Sequence, residues 1–347
     1  MSRTLHQLAK LTGATLVGDG STVIHNAATL SDAQSGDITL LDNVERLDLL
    51  MDGQMAAVVM PPSDLSVGVP SLQCSDVHTV FTQIVREFRP QRPQTAPFIS
   101  PQAYIDPSAK LGKDVTIYPL AYIGPETEVG DNTIIYPNSQ LLTGAKVGSN
   151  TIIYSNVTIY NDCVVGSYCI LHAGASIGAN GFGYSQKSGR HVLSAQLGNV
   201  EISDYVEVGA NSTIDRGAYG PTRIGEGTKI DNLVMVGHNC QIGKHNLLCA
   251  QVGIAGSAST GDYVVMAGQA GIRDHVHIGE RAILGAKCGV MSDIPAGAKM
   301  LGAPACPERE QMIKFALTAK LPEMRRSVRK LEQQVKDLEA KAEAEGK

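Results

Sequence analysis

Counting by six from Ile105 meets an aliphatic residue at every step, through Leu111, Ile117, Ile123, Val129, Ile135, Leu141, Val147, Ile153, Ile159, Val165 and Leu171 to Ile177. The count resumes at Ile202, Val208 and Ile214, jumps ten residues to Ile224 and continues by sixes to Ile254. Thr260 breaks it once before Met266, Ile272, Ile278, Leu284 and Val290 complete it. Four residues after each aliphatic stands a small or β-branched residue, such as Ala109, Val115, Ala121 and Thr127, with Asn246 the clear exception. Neither the 3.6-residue period of a helix nor the two-residue period of an ordinary strand produces this spacing. A repeat this sustained dictates the architecture before any local propensity is consulted.

The physical solution is a triangular prism. Each hexad forms one short flat side, the aliphatic points inward near a corner, and three hexads close one coil, with parallel strands stacked at roughly 4.8 Å per coil. Gly or Asp often follows the aliphatic, as in Ile123-Gly124 and Val129-Gly130, and is expected to supply the backbone freedom of a tight corner. Cys163, Cys169, Cys240 and Cys288 fall on the small inward position and read as core fillers. The hexapeptide pattern resembles the left-handed parallel β-helix acyltransferases. The left hand comes from that resemblance, since parallel crossovers otherwise favour the right.

The flanks lack the period. Residues 1–98 read as a small α/β domain, with helices around Leu5–Leu11 and Val77–Phe88, a β-prone stretch Thr22–His25 and a strand Ala56–Met60. The Pro-rich RPQRPQTAP, residues 89–97, marks the boundary to a β-helix over 99–305. Residues 306–347 turn helical, and Met324, Val328, Leu331, Val335, Leu338 and Ala342 repeat at 4-3-4-3-4 as a heptad seam, which predicts partner helices and an oligomer. The fold class expected is therefore mainly β, a β-helix with an N-terminal α/β domain and a C-terminal coiled-coil extension.

Seven cysteines without a CxxC pair indicate neither a disulfide framework nor a zinc ribbon. The net charge of −5 argues against general nucleic-acid binding, and no apolar run is long enough for a membrane span. The start MSRTLHQLAKLTG lacks the marks of a secretory signal, so a cytoplasmic location is expected.

Two excursions interrupt the coils, GANGFGYSQKSGRHVLSAQLGN between Ile177 and Ile202 and four extra residues within DRGAYGPTR. Loops positioned by a rigid scaffold carry function disproportionately, so a pocket is expected beside them. His238 lies at an outward position there, Gly256 occupies the same hexad position eighteen residues later, and Asn239, Ser257 and His275 form the adjacent column. Acyl transfer from a thioester to an amine needs a base and an oxyanion donor. His238 can be the first and the Gly256 amide the second. A zinc site drawn from His238, His245, His275 and His277 is disfavoured, because two coils separate His238 from His275 by roughly 10 Å.

At TIDRGAYGPTRIGEGTKIDNLVMVGHNCQIG, residues 213–243, the chain resembles the UDP-3-O-(3-hydroxyacyl)glucosamine N-acyltransferase family of lipid A biosynthesis. GANGFGY at 178–184, GDITLLDN near the N-terminus, GIAGS at 253–257 and GAPACPEREQMIK match as well. The resemblance implies a homotrimer with active sites between neighbouring prisms, and no cofactor beyond the phosphopantetheine of an acyl carrier protein that delivers a 3-hydroxyacyl thioester. It implies His238 as general base, His275 as a second histidine aiding carrier binding or the oxyanion, and Asp231 and Asn232 as polar residues near the base, with Asn239 also counted among the substrate-binding residues. The N-terminal domain would hold the uridine nucleotide through Asn43, while Leu40 and Arg46 stand where the family usually has Phe and Tyr. The acidic carrier is expected to dock on Lys320, Arg325, Arg326, Arg329 and Lys330, against which only Glu323 stands. The competing readings are a coenzyme A-dependent small-molecule acetyltransferase of the same fold and a purely structural trimeric β-helix.

Overall fold

The computed structural model describes residues 2–43, 54–64, 67–90, 96–302 and 307–345, which divide into two compact units, Met1–Thr95 and Ala96–Lys347. In the first unit, helix α1 (Leu5–Thr12) starts at Thr4, whose hydroxyl caps the Gln7 amide while the Gln7 side chain caps Thr4 in return. Gly13, at φ 72°, ends it in the left-handed conformation that glycine adopts without strain. Helix α2 (Val77–Phe88) is capped by Asp76. Both pack on a sheet with strand order 15–17, 71–73, 57–60, 37–40 and 26–27, in which only the first pairing is antiparallel. The central strand Ala57–Met60 is buried at every residue, as a parallel strand covered on both faces must be. Leu5, Leu8, Ile38, Val59, Leu72 and Ile84 form its core.

In the second unit the six-residue period becomes a parallel β-helix. Short strands stack into three parallel sheets of ten, ten and nine strands. Each strand pairs with the one three hexads later, as Thr116 with Ile134, Tyr122 with Gln140 and Glu128 with Lys146. From Ile117 to Val290 the hexad aliphatics are buried in one continuous core, and Cys163, Cys169, Cys240 and Cys288 lie among them. Burial pushes the thiols of Cys169 and Cys240 up to about 11 and about 12. Inward hydroxyls are satisfied by corner carbonyls: Thr133 donates to Gly148 at 2.8 Å, Thr151 to Gly166 at 2.9 Å and Thr228 to Gly243 at 2.9 Å.

The corners differ from the sequence expectation in one respect. The left-handed residue is the third after the aliphatic, as at Asn132 (φ 56°) and Asn138 (φ 61°), where Asn tolerates that conformation well. Gly130, next to the aliphatic, has no left-handed φ and serves another need. A Cβ there would lie 2.5 Å from the Ser149 nitrogen of the next coil, so glycine allows the coils to approach.

The regular step between coils is 18 residues, but it lengthens to 37 at the first excursion and to 22 at the second. The first contains an antiparallel hairpin, Tyr184–Lys187 with Arg190–Leu193, exposed along its length. Beyond the prism, α3 (Glu308–Glu345) carries the heptad residues, and Met324, Val328, Leu331, Val335 and Leu338 are all more than half exposed in the single chain. Among the described residues no helix is long and apolar enough to cross a membrane.

Candidate active site

Successive rungs of one ten-stranded sheet bring the candidate residues together. Asp215 ends the strand Thr213–Asp215, His238 follows Met235–Val236, Gly256 follows Gly253–Ile254 and His275 follows Gly271–Ile272. The register Ile214 to Val236 to Ile254 to Ile272 stacks them in order. Backbone bonds tie the corner: the Ser257 N–H donates to the His238 carbonyl at 2.8 Å, and the His275 N–H to the Gly256 carbonyl at 3.2 Å. All four line a cleft of about 800 Å³, together with Phe182, Arg273 and Met291.

The imidazole of His238 is held in one tautomer. Asn239 Oδ1 accepts the Ala218 N–H at 3.0 Å, and a backbone N–H can only donate, so that atom is the amide oxygen. The same oxygen lies 3.0 Å from His238 Nδ1, which must then carry the proton. In the neutral ring Nε2 then holds the lone pair, as a base requires. Ala218 belongs to the four-residue excursion, so the flap noticed in the sequence orients the base through Asn239.

Two glycines let the site close on this ring. A Cβ on Gly256 would lie 2.6 Å from His238 Nε2, and one on Gly181 would lie 2.5 Å from His238 Cβ. The GANGFGY segment therefore runs against the histidine. The Gly256 N–H donates to no group among the described residues, and so remains available to an oxyanion.

Asp215 escaped the sequence reading. It is 4% exposed, lines the cleft with His238, and its side chain has no hydrogen-bond partner among the described residues. Burial raises its carboxyl to about 6, with only the nearby His238 charge opposing. It opens the second excursion, at the register shift opposite Ala179. Asp directly after the inward aliphatic is ordinary in this repeat, as at Ile105-Asp106 and Ile230-Asp231, so the sequence carried no signal that set Asp215 apart.

Other expected site residues are placed elsewhere. Asp231 and Asn232 line a separate cleft of about 540 Å³ on a different sheet, with His172, Glu207 and Lys229. Their side chains brace the coil: Asn232 Oδ1 accepts the Ala210 N–H at 2.7 Å, and Asp231 Oδ1 the Asn232 N–H at 2.7 Å. Within one chain they do not meet His238, because they occupy another side of the triangle. His245 stacks on Tyr263 at 5.1 Å, and His277 Nδ1 lies 2.9 Å from the Ser259 hydroxyl, both away from the cleft. Leu40 is half-buried and Asn43 exposed in the first unit, while Arg46 lies outside the described residues. Lys320, Arg325, Arg326, Arg329 and Lys330 are exposed on α3.

Comparison with known proteins agrees with this architecture. The bacterial transferase hexapeptide model (six repeats) matches residues 97–143, 144–179 and 221–256. A UDP-3-O-acylglucosamine N-acyltransferase of Rhodopirellula baltica is 55% identical over 91% of this chain and 82% of its own. Proteins of the same name from Syntrophotalea carbinolica and from Geobacter sp. (strain M21) are 53% and 52% identical, covering 97% and 98% of this chain and 98% and 99% of theirs. Among solved structures, a UDP-N-acetylglucosamine acyltransferase from Bacteroides fragilis aligns over 57% of this chain and 69% of its own, at 26% identity and a TM-score of 0.43. With relatives more than half identical along nearly its whole length, the chain belongs to the UDP-3-O-acylglucosamine N-acyltransferase family and is an acyltransferase.

Proposed function

We propose that the enzyme transfers a 3-hydroxyacyl chain from the phosphopantetheine thioester of an acyl carrier protein to the 2-amine of UDP-3-O-acylglucosamine, a step of lipid A assembly in the cytoplasm. The observation that carries the mechanism is the tautomer of His238, whose Nδ1 proton is committed to Asn239 and whose Nε2 faces the cleft beside Gly256. Nε2 takes a proton from the acceptor nitrogen, whose lone pair then attacks the thioester carbonyl. The Gly256 N–H meets the oxyanion, the C–S bond breaks, and the sulfur leaves as thiol with a second proton from that nitrogen. His275, on the next rung, assists the oxyanion or the carrier arm. No further cofactor is needed.

The exposed heptad stripe of α3 fits a homotrimer whose helices cover one another. In such an assembly the cleft of one prism faces a side of the next, which allows Asp231 and Asn232 of a neighbour to reach the acceptor. The nucleotide would be held by the N-terminal domain through Asn43, with Leu40 and Arg46 flanking the uracil in place of the usual aromatic pair. The decisive experiment offers UDP-3-O-acylglucosamine with 3-hydroxyacyl carrier protein and with 3-hydroxyacyl coenzyme A side by side. Transfer from the carrier, with an amide in the product, supports the reading. Efficient turnover from acetyl-coenzyme A on a small amine instead would replace it.

A further inference from the structure

Resting on that reading, we infer that Asp215 is the acceptor-binding residue that recognises the sugar amine in its ammonium form and presents it to His238. An amine beside oxygenated carbons has a pKa not far from that of an α-amino group, near 8, so at neutral pH most of the acceptor carries a positive charge. A neutral imidazole offers such a cation one acceptor lone pair and a backbone N–H offers it none, so neither supplies a negative charge. The cleft does contain one buried carboxyl, and it is free of any hydrogen bond within the described chain. Asp274 also lines the cleft, but it is exposed and lies 3.5 Å from the Arg273 guanidinium.

The setting of Asp215 is that of a group awaiting a partner. Among the described residues Thr39 Oγ1 is the one fully buried side-chain oxygen without a partner, so the carboxyl oxygens of the largely buried Asp215 keep their opening to the cleft and are desolvated acceptors facing it. Continuing the register of Ile214 with Val236 puts Gly237 above it, a residue with no side chain to cover the carboxyl. His238 is next along the chain and is close enough for its charge to act on Asp215. Cys240 is the other titratable neighbour, a thiol held neutral by its burial. The adjacent Arg216 turns its guanidinium to the Gly178 and Asn161 carbonyls instead. An ammonium entering between Asp215 and His238 would satisfy the carboxylate and place one N–H on Nε2.

The proton count then closes. The ammonium gives one proton to Nε2, leaving a neutral amine whose lone pair forms the N–C bond. As the C–S bond breaks, the second proton passes from nitrogen to sulfur, and the product is an uncharged amide and a thiol. The imidazolium formed on His238 lies beside the Asp215 carboxylate until it releases its proton to water. A hydroxyl acceptor would need no such carboxylate, so Asp215 suits the site to N- rather than O-acylation.

The test is Asp215→Asn, which keeps the shape and removes the charge, with Asp215→Ser as a second neutral variant should the first misfold. Steady-state rates are measured on UDP-3-O-acylglucosamine from pH 6.5 to 9.5, and binding of the uncharged N-acylated product by calorimetry. At pH 7 the KM for the acceptor should rise about 10- to 100-fold, the worth of a charge-assisted hydrogen bond. The gap in kcat/KM should narrow above pH 9, where the free amine prevails, and product affinity should match wild type. A pH-independent loss, an unchanged KM, or a fall in kcat alone would overturn the inference, the last by assigning Asp215 to positioning His238. If the wild-type enzyme does not acylate the amine at all, the proposed function itself falls.

Discussion

Asn239 Oδ1 lies 3.0 Å from His238 Nδ1, and this contact rather than the histidine alone defines the base. Replacing Asn239 by Leu removes the acceptor and frees the ring to take either tautomer or turn away. Turnover should fall about 10- to 100-fold with the fold intact by circular dichroism, while Asn239→Asp, which still accepts from Nδ1, should stay within about tenfold of wild type. Equal losses in both variants would show that the amide acts on something other than the tautomer.

His238→Ala should lower turnover by at least about two orders of magnitude, the usual contribution of a general base. His275→Ala should cost less, since it leaves the base and the Gly256 N–H in place. A folded His238→Ala enzyme with near-normal rate would remove the base assignment.

The raised pKa of Asp215, about 6 against an ordinary 3.8, makes stability depend on pH. The proton is bound more tightly in the folded state, so this group's contribution is full below pH 4 and lost as pH rises through 6. Asp215→Asn should therefore unfold at a higher temperature than wild type at pH 7.5, by at most about 3 kcal/mol of stability, and the difference should vanish near pH 4. Thermal melts of both proteins at the two pH values decide it.

The two exceptions to the repeat complete one another. Asn246, fully buried, donates from Nδ2 to the Thr260 hydroxyl at 2.6 Å and accepts the Val264 N–H at 2.6 Å. Asn246→Ala strands both partners and should cost about 1–3 kcal/mol in urea unfolding. The double change Asn246→Thr with Thr260→Ile should restore only part of it, because Ile removes the hydroxyl that accepts the Gly243 N–H at 2.9 Å. Thr228, at the equivalent position one coil earlier, already accepts the Asn246 N–H at 3.1 Å and donates to the Gly243 carbonyl at 2.9 Å.

Charge reversal at Arg325 and Arg326 should raise the apparent KM for acyl carrier protein at low ionic strength, fade as salt is added, and leave the KM for the sugar nucleotide unchanged. If neither constant moves at low salt, the carrier docks elsewhere.

The prism was legible because the aliphatic at each sixth residue is a packing requirement repeated coil after coil, and the two helices expected around Leu5–Leu11 and Val77–Phe88 are present, where the structure adds their caps at Thr4 and Asp76. The stacking of His238 under Gly256 followed from the same eighteen-residue step. Other features stayed hidden for definite reasons. Asp215 gains its meaning only from its burial beside the cleft, which its place after Ile214 does not reveal. Asn239 gains its from Ala218, whose position the length of the excursion does not reveal. The corner conformations were misassigned because Gly124 and Gly130 suggested torsional freedom where the constraint is contact between coils.

Because rung follows rung at a spacing held by backbone hydrogen bonds, each side chain of the prism has an address. Shifting a residue eighteen places along the sequence slides it one notch up the axis with its direction unchanged, whereas shifting it one place turns it through the wall. Scaffold length and chemistry are thus separable. Excising or duplicating a whole coil between Ile117 and Ile159 would shorten or lengthen the column by one notch, while Asp215, His238 and Gly256 kept their places relative to one another.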